Sequence, residues 1–463
     1  MAKEVFDFNA GLKKKITITF IVGAVMLLIG ALNPQKNSHH EEAGHGDDTH
    51  GTEQHDDAAG EHGDEGHASL TDGDYEVLAT AGGAEGEEEH GKGWFERFKV
   101  DLWINNVYFT GLALIGIFFF AIQYAAQAGW SAYIVRIPLS MAHWILPAGV
   151  LMVLTYLFVS HDVFHWTHSD LYEVGGDHYD GIIAGKQAYF FAPLEGGSFP
   201  LFFVLRMVVF FALWVWLFKK LKGLSLAEDE LGGDTYWHKM RKWSAIFLVI
   251  FAVSSSVSAW DWVMSIDTHW FSTMFGWYVF ASWFVTGLAF ITLVTVLLKE
   301  AGYLPQVTTN HLHDLGKFVF AFSIFWTYIW FSQFLLIYYA NIPEESVYFV
   351  ERFLSDKYAP FFFVNLVLNF FFPFLTLMTR DAKRLNVFLK MVCIVVMFGH
   401  FIDFYLMMTP GTMGENGFFG FTEIGMYLMF GSAFVFVVLK AMSSYALVPK
   451  NHPMLQEAKH HHI

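Results

Sequence analysis

Residues Ser258 to Phe275 read SAWDWVMSIDTHWFSTMF. An apolar run precedes this stretch and another follows it, so it reads as the turn between two membrane crossings. It carries two aspartates, Asp261 and Asp267, a histidine, His269, and three tryptophans, Trp260, Trp262 and Trp270. Tryptophan gathers where helices leave the hydrocarbon core. An aspartate inside that border is expensive to place, and its depth decides what it can do.

Outward from this turn, apolar runs of crossing length fall at about 16–32, 103–126, 137–160, 199–221, 243–265, 276–298, 315–340, 359–378, 385–409 and 421–440. The 463 residues are 54% hydrophobic and only 16% charged, which no soluble domain can bury. The expected fold is an all-α polytopic membrane protein with about ten transmembrane helices. The run at 16–32 follows Lys13-Lys14-Lys15 and lacks a small-x-small cleavage site, so it reads as a retained helix, not a signal peptide.

Lys and Arg fix the expected orientation. With the N-terminus inside, the cytoplasmic segments hold 20 of the 28 basic residues and the outer segments seven, leaving Arg206 within the fourth span. Both termini then face the cytoplasm. The net charge of −16 belongs to one outer loop: Asn37 to Gly91 contains 17 acids and no Lys or Arg, so the remainder sums to +1. That loop, rich in His, Asp, Glu and Gly, reads as solvated and disordered, with weak divalent-metal binding as the other reading of its eight histidines. Trp94–Trp103 (WFERFKVDLW) reads as a short amphipathic segment on the outer interface. The single cysteine, Cys393, rules out an internal disulfide, a cysteine-ligated cluster and a CxxCH haem attachment in this chain. No phosphate loop or basic stripe points to nucleotide or nucleic acid.

Ionisable residues inside the spans gather toward the outer level. Ser254, Ser258, Asp261 and Ser265 share one helical face, as do His400 and Asp403. His161 and Asp162 end the third span, Arg206 lies near the outer end of the fourth, and Glu423 opens the tenth. The inner half reads as poorer, with His143 its main exception. His143 and His400 lie about 9 Å and about 22 Å from the inner ends of their helices, so they do not match in depth for a bis-histidine haem. His161, His165 and His168 have helical spacing for a zinc or copper site, though a polar cap produces the same pattern, and no metal site is assigned. Gln333, Asn365 and Asn369, with Pro373, read as interhelical glue.

The span pattern and the string WDWVMSIDTHWFSTMFGWYVF (Trp260–Phe280) together resemble the polysulfide-reductase (NrfD-like) family of membrane subunits. Within it, the chain is most similar to the second quinone-binding-type membrane subunit of bacterial alternative complex III, the quinol:cytochrome c oxidoreductase. The resemblance covers about residues 100–445, and the acidic insertion has no counterpart in it. It implies a bacterial inner membrane and two four-helix bundles, spans two to five and six to nine, with spans one and ten outside them. The chain then divides into a cytoplasmic N-terminus (1–15), a first helix (16–32), a periplasmic loop (33–93), a first bundle (94–265), a second (266–409), a tenth helix (410–440) and a cytoplasmic tail (441–463).

The resemblance also implies partner subunits with iron–sulfur clusters and c-type haems, a homologous membrane subunit, and quinone or quinol as ligand, with no haem or cluster of this chain's own. Asp261, His400 and Asp403 are then the candidate proton-handling group, with His161 and Asp162 leading outward. Arg206 would hold a carboxylate ionised or donate to a quinone oxygen. Trp260, Trp262 and Trp270 would form an interface belt or the wall of a quinol slot. Other readings stay open: a proton-conducting or scaffolding paralogue, an independent secondary transporter, or a metal-binding membrane protein.

Overall fold

The computed structural model describes residues 5–32 and 93–462. The acidic histidine-rich loop lies outside the described residues. Among these, ten helices are long and apolar enough to cross a membrane: α1 (Ala10–Leu32), α2 (Trp94–Ala125), α3 (Arg136–Val163), α4 (Leu201–Leu231), α5 (Asp234–Trp262), α6 (Phe275–Glu300), α7 (Thr309–Ala340), α8 (Ala359–Thr376), α9 (Asn386–Met413) and α10 (Phe421–Met442). The chain is an all-α polytopic membrane protein.

Helices α2 to α5 pack in a closed ring, each against the next and α5 back on α2. Helices α6 to α9 close in the same way. The two bundles meet through α2, α5, α6 and α9, while α1 and α10 pair outside them. The apolar windows of α2 and α6 are each 89% buried against 6% for α1, so those two helices form the centre of the molecule. Apolar matching to lipid gives helices no reason to associate, so close backbone approach must supply it. A Cβ on Gly23 would lie 2.7 Å from the Gly425 carbonyl oxygen, and the reverse holds equally, which brings α1 and α10 together. At Gly111 on α2 a Cβ would overlap the Trp283 indole of α6. Gly111→Val should therefore part the bundles and destabilise by about 1–3 kcal/mol or more, read as a lower unfolding temperature in detergent.

Both chain ends lie on one face, where Val5 bridges Ala446 and His461 bonds Asp314 at 2.5 Å. This is the terminal face. The expectation that its half of the molecule is poor in buried charge fails. Arg136 is fully buried and pairs with Asp229 at 2.7 Å, and Glu228 is buried beside them. The connection before α3 folds inward, which spacing alone does not reveal. Trp94–Trp103 is also not a separate interfacial segment but the first turns of α2. Its charges find partners on neighbouring helices instead of headgroups: Arg97 pairs with Glu423 at 2.5 Å and Lys99 with Asp162 at 2.7 Å. Helix α1 begins at Ala10, placing the three lysines inside it.

Candidate functional site in the second bundle

Asp403 and His400 lie one turn apart on α9 and are fully buried. Asp403 accepts hydrogen bonds from Tyr278 Oη on α6 at 2.5 Å, Trp326 Nε1 on α7 at 2.9 Å and Asn365 Nδ2 on α8 at 3.0 Å. Each of the other three helices of the bundle thus supplies one donor, and none of the donors carries a formal charge. The nearest group able to become cationic is His400, whose Nδ1 lies 3.7 Å from Asp403 Oδ2 and 2.9 Å from Ser282 Oγ. Its Nε2 has no hydrogen-bond partner among the described residues. Asp403 and His400 thus form a buried carboxylate–imidazole pair whose other partners are neutral, the residue types that serve as acid and base.

The local backbone explains how α8 reaches this point. Val367–Phe371 forms a π turn, and Pro373 follows without an N–H to continue the ladder. Within this stretch Asn369 Nδ2 donates to Asn365 Oδ1 at 2.6 Å, extending the polar line one turn. Gly399 leaves the space that the Asn369 amide occupies, since a Cβ there would overlap it.

A narrow cleft, with a cavity volume of about 20 Å³, opens beside Tyr278 and Asn365, two of the carboxylate's donors. Trp330, Phe349, Phe362 and Leu406 form its apolar walls, and Tyr278, Gln333, Asn365 and Arg352 offer polar atoms. Tyr278 and Asn365 belong to both the cleft and the Asp403 network, so they connect the two. Aromatic walls with a few convergent polar groups suit a flat ring bearing oxygens.

The mouth is shaped by a helix absent from the sequence reading, Pro343–Phe353, between α7 and α8. Its Arg352 is buried and donates from Nε to the Leu406 carbonyl at 2.8 Å. That carbonyl lacks its helical partner because residue 410 is proline. Arg352 also donates to Asp267 Oδ2 at 2.8 Å and lies over the Tyr348 ring at 3.5 Å. Trp270 stacks on the other side of the rim, 4.0 Å from Tyr348.

Partial burial, with the Asp267 carboxylate nearby, pushes Glu351 at this mouth up from 4.5 to about 7. A carboxyl raised in the folded state contributes stability that is full below its unfolded pKa and lost as pH rises through the folded one. Wild-type unfolding temperature should therefore fall between about pH 4.5 and 7. In Glu351→Gln that slope should flatten.

The other sequence-predicted residues lie elsewhere. Asp261 is not joined to His400 and Asp403. It sits in the first bundle, paired with Arg206 through two hydrogen bonds, Nε to Oδ2 at 2.8 Å and Nη2 to Oδ1 at 2.9 Å. Tyr189 Oη adds a third at 2.8 Å. Asp162 is taken by Lys99, and exposed His161 stacks edge-on against His168, with centroids 4.1 Å apart. The three tryptophans do not form one wall. Trp262 is buried against Phe211 and Trp214, Trp260 is half-buried, and only Trp270 reaches the cleft rim. Among the described residues, no group of three or more His, Cys, Asp or Glu side chains is arranged to hold a metal ion.

Residues that sequence reasoning passed over are Tyr278, Trp326, Ser282 and Arg352. Tyr278 lies in the string that carries the family resemblance, but the others look like ordinary apolar, small or loop residues. No family model matches the chain, and no curated protein matches it significantly.

Proposed function

We propose that the chain is an NrfD-like membrane subunit of a respiratory quinol:cytochrome c oxidoreductase of the alternative complex III type, most similar to its second membrane subunit, the ActF type. The observation that carries this reading is the fully buried His400–Asp403 pair, joined to an aromatic cleft by Tyr278 and Asn365. Quinol, when bound, supplies two electrons and two protons, and this chain's residues handle only the protons, taken one after the other through Asp403. Trp330 and Phe362 hold the ring, Gln333 orients an oxygen, Arg352 holds the mouth together through its bonds to Leu406 and Asp267, and Asp403 accepts a proton from the cleft side. His400 then shares that proton within the pair, and its open Nε2 is the exit toward further polar groups. Electrons pass to the iron–sulfur and c-type haem groups of partner subunits.

The lysine and arginine distribution supports a cytoplasmic terminal face, and the resemblance supports a bacterial inner membrane, with the cleft and the acidic loop then on the periplasmic side. A second reading, a proton-conducting paralogue with quinol bound by the homologous subunit, draws on the Asn365–Asn369 line, which runs on past Asp403. Purification from membranes with mass spectrometry of co-purifying chains tests the assembly: a solitary chain contradicts both readings. A photoreactive quinone then separates them. Label on peptides containing Trp330 or Phe362 supports the quinol site, and label confined to a partner subunit supports conduction alone.

A further inference from the structure

The two bundles repeat each other helix by helix. Thr-Gly-Leu-Ala-x-Ile occurs on α2 at Thr110–Ile115 and on α6 at Thr286–Ile291. On α3, Leu154–His161 reads LTYLFVSH, and on α7, Trp326–Gln333 reads WTYIWFSQ. On α5, Ser258-Ala-Trp-Asp261 falls where α9 has His400-Phe-Ile-Asp403. Each pair keeps the same order along the chain and the same direction through the molecule. In both bundles the aspartate accepts from the third helix, Arg206 on α4 or Asn365 on α8. In both, the connection before that third helix brings a tyrosine over the site, Tyr189 or Tyr348.

The copies differ at the decisive positions. Serine replaces histidine beside the first aspartate, and an arginine replaces the neutral amide. Arg206 lies between the Tyr189 and Phe202 rings, 4.1 and 4.6 Å from their centroids, and with Tyr189 it caps Asp261. Tyr156 on α3 lies near enough to feel that carboxylate's charge, and among the described residues its hydroxyl has no hydrogen-bond partner. We infer that the first bundle holds a latched counterpart of the second-bundle site, in which Arg206 and Tyr189 close directly over Asp261, whereas Asp403 is joined to a cleft through the neutral side chains of Tyr278 and Asn365. The chain then has one proton-accepting carboxyl, Asp403, and one fixed as an ion pair, Asp261. This deepens the proposed function and rests on it only for the role of Asp403.

Dicyclohexylcarbodiimide, which modifies protonated carboxyls within membranes, tests the latch on the purified complex held with excess quinol and no electron acceptor, the state in which Asp403 carries the proton it has accepted. Peptide mass spectrometry should find adduct on Asp403 at least about tenfold above Asp261, because Arg206 and Tyr189 donate to both Asp261 oxygens and leave the carbodiimide no free oxygen to attack, whereas no charged donor holds Asp403. Arg206→Gln should raise the Asp261 adduct by about tenfold or more, and Arg206→Lys should not. Equal modification of both aspartates in the wild type overturns the latch, even if the variants fail to assemble. So does an Arg206→Gln chain that folds and gains no adduct. Absence of adduct on Asp403 alone contradicts the proposed function instead, while the Asp261 arms still decide the latch.

Discussion

If the chain works as proposed, Asp403→Asn should lower quinol:cytochrome c turnover of the assembled complex by about 10²-fold or more, the usual loss when a positioned general base is removed. The effect is on chemistry because the asparagine keeps most of the network. Its oxygen still accepts from Tyr278 and Asn365, the donors now 2.5 and 3.0 Å from Asp403 Oδ1. Only the Trp326 indole loses its acceptor, at a cost of about 1–3 kcal/mol. The check is turnover per mole of haem, with subunit stoichiometry confirmed by gel and mass spectrometry. Full activity in an intact complex would remove Asp403 from proton uptake.

Asp261→Leu has the opposite signature. It leaves the half-buried Arg206 against two aromatic rings with no carboxylate, and breaking a largely buried pair in this way costs up to about 3–5 kcal/mol. The chain should unfold at a markedly lower temperature in detergent. The double variant Asp261→Leu, Arg206→Leu should regain most of that loss, since replacing both charges removes the stranded cation. A stable but inactive Asp261→Leu complex would move the proton chemistry into the first bundle.

The crossings were legible in the sequence because lipid leaves only apolar helices as an option for a single chain segment. Membrane depth was legible too: Asp261, His400 and Asp403 all lie near the face opposite the termini. Depth could not tell which bundle each faces. Asp261 and Asp403 look alike as lone aspartates near helix ends, yet one meets Arg206 and the other meets Tyr278, Trp326 and Asn365. Those partners come from helices far apart in the chain, and no local spacing encodes them. Arg352 shows the same limit, because its role depends on a carbonyl freed by Pro410 on another helix. The Pro343–Phe353 helix went unread because it is too short to cross and its polar face resembles a loop.

The most direct test of the account is redox-induced infrared difference spectroscopy of the purified complex during quinol oxidation. The account predicts the carbonyl stretch of a newly protonated, buried carboxyl in the wild type, its loss in Asp403→Asn, and its persistence when Asp261 and Arg206 are both replaced by leucine. A band that survives in Asp403→Asn and vanishes in the leucine pair would contradict it.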